Sequence, residues 1–295
     1  MSVYRYLSIV DFQADFIVWI QSARHPACDL FFKYISELGT IQAMLITWAI
    51  FVWFISYRYG CRIILVNLVL QYFGSLWLKA LVALPRPSEI FPAIIAIEPA
   101  KGFSFPSGHV INAIIFWGMV ALFFKKRWVT FACTSIIFLI GLSRIYLGVH
   151  YPMDVLASFA MGGAALFCFE KKHQAKDWLC NVSDGVKVGG ILGSSLVLYG
   201  LVLLFAPQGI PPSWFYSFVS LYTSSCLGWL LKNRWILWSE TVPWSQRFLR
   251  TAIGMIVLLV PVTFYFKSFW TYWFIGFWLT LGVPLLFAKI VRAVR

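Results

Sequence analysis

The chain has 295 residues, of which 61% are hydrophobic and 12% charged, and its mean hydropathy is +0.80. This composition excludes an ordinary soluble domain and indicates a membrane protein with several spans. The net charge of +13 does not indicate a nucleic-acid partner, because the lysines and arginines lie between apolar runs, as in cytoplasmic loops of membrane proteins. Six cysteines are scattered singly, which predicts neither a disulfide framework nor a metal site.

Residues 1–37 differ in pattern from the rest of the chain. Asp11 and Asp15 interrupt the apolar run and no small-residue cleavage site follows, so a signal peptide is not predicted. Apolar and polar residues alternate from Leu7 to Lys33, whereas a spanning helix needs about 20 mostly apolar residues. We expect amphipathic helices at the membrane interface here, with a marginal first span as the alternative.

Longer apolar runs follow, each bounded by charge or by proline and glycine. They are Thr40–Tyr57, Ile63–Leu84, Gly108–Phe124, Trp128–Ile145, Tyr151–Phe169, Val188–Phe205, Trp214–Leu231, Leu249–Phe266 and Phe269–Ala288. Their lengths predict an all-α, polytopic transmembrane helical bundle of about nine spans. We expect a core in residues 38–170, a cytoplasmic loop in residues 171–187 and a four-helix transmembrane extension in residues 188–295.

The distribution of positive charge orients these spans. About two thirds of the 24 lysines and arginines fall on one side of a nine-span arrangement, which predicts that this side is cytoplasmic. Three clusters of polar residues fall on the opposite side. We therefore expect a functional site on the non-cytoplasmic face, in the periplasm or outer leaflet or in an organelle lumen.

The first cluster pairs Lys79 with Arg86. Pro85 and Pro87 end the helix at this point, so the two cations can converge at the membrane surface. The alternative is that both side chains extend to the interface for solvation alone.

The second cluster is Pro106-Ser107-Gly108-His109, at the start of an apolar run. A helix N-terminus presents unpaired amides and a positive dipole end, which favour an anion. Ser107 adds a hydroxyl, Gly108 allows close approach of the backbone, and His109 points to the same anion. A serine cap beside an unrelated histidine is the alternative.

The third cluster contains Ser143-Arg144, then His150 and Asp154. The spacing of four places imidazole and carboxylate on one helical face, so that Asp154 can accept a hydrogen bond from one ring nitrogen. The other nitrogen is then available as a nucleophile. The alternative is a structural Asp–His pair.

Together the clusters fit phosphoryl transfer, in which most of the catalysis is positioning and stabilisation of charge. Three cations, Lys79, Arg86 and Arg144, would neutralise the equatorial oxygens without a metal. Charged and polar groups of this kind are costly among apolar segments, which also indicates a functional role.

These residues resemble the three signature motifs of the type 2 phosphatidic acid phosphatase and haloperoxidase superfamily. The motifs are Lys79-(six residues)-Arg86-Pro87, Pro106-Ser107-Gly108-His109, and Ser143-Arg144-(five residues)-His150-(three residues)-Asp154. The resemblance covers roughly residues 38–170.

The resemblance implies a mechanism and no cofactor. His150 would attack phosphorus to form a phosphohistidine, Asp154 would orient it, and His109 would protonate the leaving oxygen and then activate water. The residues implied to hold the phosphoryl oxygens are Lys79, Arg86, Ser107, Gly108 and Arg144.

The family's membrane members act on lipid phosphates and diphosphates, so the implied partners are a phosphorylated lipid, such as phosphatidate, polyprenyl diphosphate or a sphingoid-base phosphate, and the bilayer. The alternatives are a lipid-binding or transport protein that retains an anion site, a glucose-6-phosphatase-like enzyme, and a vanadate-dependent haloperoxidase. The last resembles soluble helical proteins, which the nine predicted spans disfavour.

Overall fold

In a computed structural model of the chain, the structure describes residues 2–174, 183–205, 212–236, 238–264 and 268–293. Every regular element within these ranges is helical, and no β-strand occurs in them. Helices satisfy their backbone hydrogen bonds internally, as hydrocarbon surroundings require. The prediction of an all-α fold is confirmed.

The helices are numbered in chain order. The first nine are α1 Ser2–Ser22, α2 Pro26–Glu37, α3 Ile41–Ile50, α4 Tyr57–Val69, α5 Trp77–Val82, α6 Pro87–Ile90, α7 Gly108–Phe124, α8 Arg127–Tyr146 and α9 Pro152–Gln174. They are followed by α10 Asp184–Phe205, α11 Pro212–Trp235, α12 Trp244–Phe264, α13 Phe269–Phe277 and α14 Val283–Ala293. π-Helical segments extend α3 (Phe51–Ile55), join α4 to α5 (Leu70–Leu76) and join α13 to α14 (Trp278–Gly282).

Five helical runs in the described ranges are long and apolar enough to cross a membrane. They are Tyr57–Ile90, Arg127–Tyr146, Pro152–Glu170, Trp244–Thr263 and Phe269–Ala288, and the pair Pro26–Glu37 and Ile41–Ile55, bent by 55°, would make a sixth. The chain is thus an integral multi-pass membrane protein, and nine spans stays a prediction. One predicted span, α7, has 17 residues, about 25 Å of helix against a hydrocarbon core of about 30 Å.

The chain forms two compact units. Among the described residues, unit 1 contains residues 2–44 and 70–174, and unit 2 contains residues 45–69 and those from 183 onward. Packing therefore groups residues 45–69 with the C-terminal helices, although the sequence grouped them with the core. The predicted boundaries between the core, the loop and the transmembrane extension stay a prediction.

In unit 1 the apolar core surrounds α7. Val110 and Ile114 of α7 pack with Ile140 of α8 and Val155 of α9. Within residues 10–22, α1 joins the same cluster through Ile17, whereas Phe12 and Trp19 are exposed. Apolar side chains of α1 thus lie both in the core and at the surface, and the predicted amphipathic helix at the membrane interface stays a prediction.

In unit 2, α11 and α13 approach closely at small residues. A Cβ on Gly276 would collide with Ser224 Oγ, which shows how near the two backbones lie. The π-helical segment at Trp278–Gly282 frees backbone carbonyls from the α-helical pattern. Trp53 Nε1 donates to the carbonyl of Leu279 at 3.0 Å, and the Tyr57 hydroxyl donates to that of Thr280 at 2.5 Å.

Candidate active site

All eight candidate residues lie in unit 1, at the ends of helices or beside them. Lys79 lies in α5, Arg86 precedes α6, Ser107 to His109 begin α7, Arg144 is near the end of α8, and His150 and Asp154 flank the start of α9. Six are buried, namely Lys79, Arg86, Ser107, Arg144, His150 and Asp154, whereas Gly108 and His109 are half-buried.

His150 and Asp154 form the contact that their spacing predicts. His150 Nδ1 lies 3.2 Å from Asp154 Oδ2, and both side chains are buried. The same oxygen accepts hydrogen bonds from the Tyr151 amide, at 2.9 Å, and from the Ser104 hydroxyl. With Nδ1–H donating to the carboxylate, Nε2 carries the lone pair of the neutral ring.

The surroundings of His150 favour its neutral form. Burial lowers its pKa well below the usual 6.5, because removal from water disfavours the charged imidazolium. The positive charges of Arg86, Lys79 and Arg144 lower the pKa further. An imidazole that stays neutral at neutral pH can act as a nucleophile.

His109 lies in the first turn of α7, close to the same cations. Arg144, Arg86 and Lys79 all interact with it electrostatically, and His109 in turn acts on His150. The structure therefore brings the two histidines into one electrostatic environment, as the combined motifs predict.

Lys79 organises the loop that precedes α7. Its ammonium donates to the carbonyls of Phe103, Ser104 and Pro106, at 2.8, 2.9 and 2.6 Å. These bonds use all three donors of the side chain. A direct bond from Lys79 to a phosphoryl oxygen would replace one of them, so its contribution in this structure is its charge and the shape of the loop.

Arg86 connects this loop to the residue before His150. Its guanidinium donates to the carbonyls of Gly102, Lys101 and Val149, at 2.8, 2.9 and 2.8 Å. Three of its five N–H groups are used in this way.

Two buried donors beside the start of α7 have no protein hydrogen-bond partner in the described ranges. They are the hydroxyl of Ser107, the N-cap residue of α7, and Nε of Arg144. Arg144 Nη1 donates to the Ser36 hydroxyl and lies 3.6 Å from Glu98 Oε2. Buried donors are usually paired, and phosphoryl oxygens are strong acceptors that would satisfy both.

The π-helical segment Leu70–Leu76 supports the first turn of α7. Gln71 Nε2 donates to the Gly108 carbonyl at 2.7 Å and also to the side-chain oxygen of Asn112. A Cβ on Gly108 would lie 3.3 Å from Ser75 Oγ, so the helix start packs tightly there. π-Helical turns are frequent at functional sites because they change the direction of side chains, here that of Gln71.

Four contributors were not predicted from the sequence: Ser36, Glu98, Ser104 and Ser158. The Ser107 amide donates to Ser158 Oγ at 2.9 Å, and that hydroxyl contacts the Asp154 carbonyl at 2.7 Å. A spacing of four continues from His150 through Asp154 to Ser158, so helical periodicity could have found it. The other three come from a loop or a distant helix, for which local spacing gives no signal.

A cavity of about 350 Å³ borders the segment that carries Arg86. It is lined by Val10, Asp11, Val82, Ala83, Leu84, Pro85, Ile90 and Phe91. Leu84 links this cavity to the site, because its carbonyl accepts the Ser104 amide at 2.7 Å and Ser104 contacts Asp154. Except for Asp11 the lining is apolar, and its volume is that of a small-ligand pocket.

Within the described residues, no three histidine, cysteine, aspartate or glutamate side chains are grouped so as to hold a metal ion. The groups assembled around His150 are instead cations, imidazoles and hydrogen-bond donors. Such groups suit an anion that bears several oxygens.

Helices long and apolar enough to cross a membrane, together with a cluster of cations, two histidines and a carboxylate at the ends of helices, define the class: a multi-pass membrane protein with an enclosed polar cluster. The chain belongs to the PAP2 superfamily. The model of that superfamily matches residues 60–178, which hold all three motifs, and the model described as PAP2 superfamily phosphatase, transmembrane extension, matches residues 216–294.

Several curated relatives are similar to the chain. It is 26% identical to the lipid A 4'-phosphatase of Porphyromonas gingivalis over 52% of this chain and 70% of that protein. It is 34% identical to phosphatidylglycerophosphatase B of Bacillus subtilis over 32% of this chain and 51% of that protein. It is 27% identical to a dihydrosphingosine 1-phosphate phosphatase of Saccharomyces cerevisiae over 66% of this chain and 50% of that protein. The last two alignments thus span about half of the relative, and all three relatives are lipid phosphatases by name.

Proposed function

We propose that the chain is a metal-independent phosphatase that hydrolyses lipid phosphates or diphosphates. The observation that carries this proposal is the buried His150–Asp154 pair, with Nδ1 held at 3.2 Å from the carboxylate. Arg86, Lys79 and Arg144 act electrostatically on His150, and the unpartnered donors Ser107 Oγ and Arg144 Nε would bind the transferred phosphoryl group. Family membership and the phosphatase names of the relatives support the same reaction class.

In the first step, His150 Nε2 forms a bond to phosphorus while the bond from phosphorus to the lipid oxygen breaks. The protonated His109 gives its proton to that oxygen, so the lipid leaves as an alcohol. For a diphosphate substrate the leaving group is the lipid monophosphate. Asp154 accepts the Nδ1–H bond and stabilises the charge that develops on the imidazole.

In the second step, water replaces His150 on phosphorus. His109, now neutral, accepts a proton from the water as its oxygen attacks. The N–P bond breaks, inorganic phosphate leaves, and both histidines return to their starting states. Throughout, Arg144, Ser107 and the Gly108 amide would bind the phosphoryl oxygens, and Lys79 and Arg86 would stabilise them by charge.

The apolar cavity beside Arg86 supports a lipid substrate over a sugar phosphate. Val82 and Ile90, which line it, are exposed apolar side chains at the end of a candidate span. An alkyl chain could pass from the bilayer over these residues into the cavity. The three relatives are named for three different lipids, so we propose the class of substrate and not one head group.

We further propose nine spans, with the site on the non-cytoplasmic face. Each apolar run predicted from the sequence overlaps a helix or a continuous helical segment of the structure. The asymmetry of lysine and arginine supports the orientation. The core would carry the catalysis and the C-terminal helices would form the membrane extension.

The direct test is phosphate release from phosphatidate, a polyprenyl diphosphate and a sphingoid-base phosphate by purified protein in the presence of a chelator. We expect release from at least one of them and its loss in His150→Ala. A matched control is His25→Asn, since His25 is exposed and asparagine preserves its cap on α2. Release by His150→Ala at the wild-type rate, or no release by wild-type protein from any lipid phosphate, would contradict the proposal.

A further inference from the structure

Arg144 already has an anionic neighbour in this structure. Glu98 Oε2 lies 3.6 Å from Arg144 Nη1 and is enclosed, without a hydrogen-bond partner in the described ranges. The Arg144 side chain is 3% exposed, whereas that of Glu98 is 35% exposed. One partner of this ion pair is therefore fixed in the interior and the other is within reach of water.

Hydrogen bonds hold the backbone before Glu98 against the end of α8. The Ile97 amide donates to the Leu147 carbonyl at 3.1 Å. Gln21 of α1 bonds to both the amide and the carbonyl of Ile95, and also to the carbonyl of Tyr146. These bonds hold the loop in place, so that the Glu98 side chain can rotate while its backbone stays still.

A phosphoryl group and the Glu98 carboxylate would compete for one guanidinium. Arg144 is among the predicted phosphate ligands, and its guanidinium spreads one positive charge over Nη1, which lies beside Glu98, and Nε, which has no hydrogen-bond partner in the described ranges. Both anions beside Arg144 at once would repel each other in a site of low dielectric constant. Binding of one therefore opposes binding of the other.

We propose that Glu98 is a counter-anion of the active site. Its carboxylate separates from Arg144 when a phosphoryl group binds there and pairs with Arg144 again when phosphate leaves. This inference rests on the proposed function, because it assigns Arg144 to the phosphoryl site. A centre with Lys79, Arg86, Arg144 and a helix N-terminus would hold the product phosphate tightly. The returning carboxylate weakens that product complex and speeds release.

A structural role for Glu98 makes the opposite prediction. If the carboxylate only held Arg144 in place, its removal would disorder the guanidinium and weaken anion binding. If it competes with phosphate, its removal strengthens anion binding. The sign of the change in phosphate affinity therefore separates the two roles.

The test is the dissociation constant of inorganic phosphate, measured by calorimetry on the full chain in detergent. We expect Glu98→Gln to bind phosphate roughly tenfold more tightly than wild type, because a competing charge at ion-pair distance is removed. The matched control is Glu37→Gln, since Glu37 also acts electrostatically on Arg144 but makes no ion pair with it. We expect a smaller change there.

Unchanged or weaker phosphate binding in Glu98→Gln, or an equal gain in Glu37→Gln, would overturn the inference. If Glu98→Gln does not fold, Glu98→Asp shortens the side chain and should give a smaller gain of the same sign, with no gain overturning the inference. Lipid phosphate hydrolysis, measured separately, tests the proposed function. Hydrolysis without a gain in phosphate affinity rejects the inference alone, and a gain in affinity without hydrolysis rejects the function alone.

Discussion

In the proposed mechanism the chemistry depends on neutral His150, and the surroundings of this side chain set its protonation. Nucleophilic attack needs the neutral ring, and burial together with three nearby cations favours that form. The hydrogen bond to Asp154 has the complementary effect of stabilising the positive charge that develops as the bond to phosphorus forms.

The pH dependence of kcat/KM follows from this environment. Because the pKa of His150 is lowered, its protonation inactivates the enzyme only below the usual 6.5, and the acid limb should fall there. Steady-state rates across the pH range would measure this limb.

A matched variant tests the origin of the acid limb. Lys79→Met removes a positive charge that lowers the pKa of His150, so the acid limb should move to higher pH, whatever the loss in rate. An acid limb at or above 6.5 in wild type, or one that Lys79→Met moves to lower pH, would argue against His150 as the group that must be neutral.

For single residues, motif spacing was enough to identify the candidates for catalysis and phosphate binding. The spacing of four between His150 and Asp154 predicted their contact, and all eight candidates lie in one unit. Spacing could not find Ser104 or Glu98, because loop residues have no periodicity. Nor could it show that the donors of Lys79 are used by loop carbonyls.

Among the elements, the turn between α2 and α3 packs closely against the first turns of α7. The Asn112 side-chain amide donates to the Gly39 carbonyl at 3.0 Å. A Cβ on Gly39 would lie 2.9 Å from the His109 carbonyl oxygen and 3.0 Å from its Cβ. Only glycine allows the turn to approach His109 this closely, and the sequence motif around His109 did not predict the contact.

Gly39→Ala should therefore displace the turn or His109. The contact is with backbone, which cannot rotate away, so we expect kcat to fall by roughly tenfold or more, since small misplacements of catalytic groups are costly. The control is Gly163→Ala on α9, where an added Cβ meets nothing within 4 Å. Phosphate release measures both variants, and equal activity of the two would contradict this role for Gly39.

The cavity beside α6 predicts selectivity for the substrate's alkyl chain. Ile90 lines it and is 46% exposed, so Ile90→Trp should fill it without disturbing the core. We expect KM for a long-chain phosphatidate to rise roughly tenfold while a short-chain analogue is hydrolysed as before. Leu81→Trp, at an exposed position outside the lining, is the control. Equal effects on both chain lengths would exclude a chain-binding role.

Helix positions could be predicted because apolar runs of sufficient length have few alternatives in a membrane. The π-helical segments could not, since one extra residue in a turn leaves hydropathy unchanged. The segment Leu70–Leu76 matters for the site, because it carries Gln71 to the start of α7. The grouping of residues 45–69 with the C-terminal helices depends on long-range packing, which periodicity does not encode.

For the whole molecule, the orientation in the membrane decides which leaflet supplies the substrate. Lys101 lies in the loop before α7 and Lys126 in the turn after it, and both are exposed. If α7 crosses the membrane, these residues lie on opposite sides, and the charge asymmetry predicts that Lys101 is outside.

Cysteine labelling in right-side-out vesicles measures this topology. In a background without the six native cysteines, Lys101→Cys should react with an impermeant maleimide and Lys126→Cys should react only after the membrane is opened. Labelling of both variants from one side would show that α7 does not cross. Labelling of Lys126→Cys alone from outside would place the site on the cytoplasmic face.

The most direct test of the central claim is to trap the phosphoryl group on the protein during turnover. Rapid quenching with a radiolabelled lipid phosphate, followed by peptide mapping at alkaline pH, where phosphohistidine survives, should locate the label on His150. Label should be absent from His150→Ala. Label on another residue, or steady phosphate release by His150→Ala, would contradict the account.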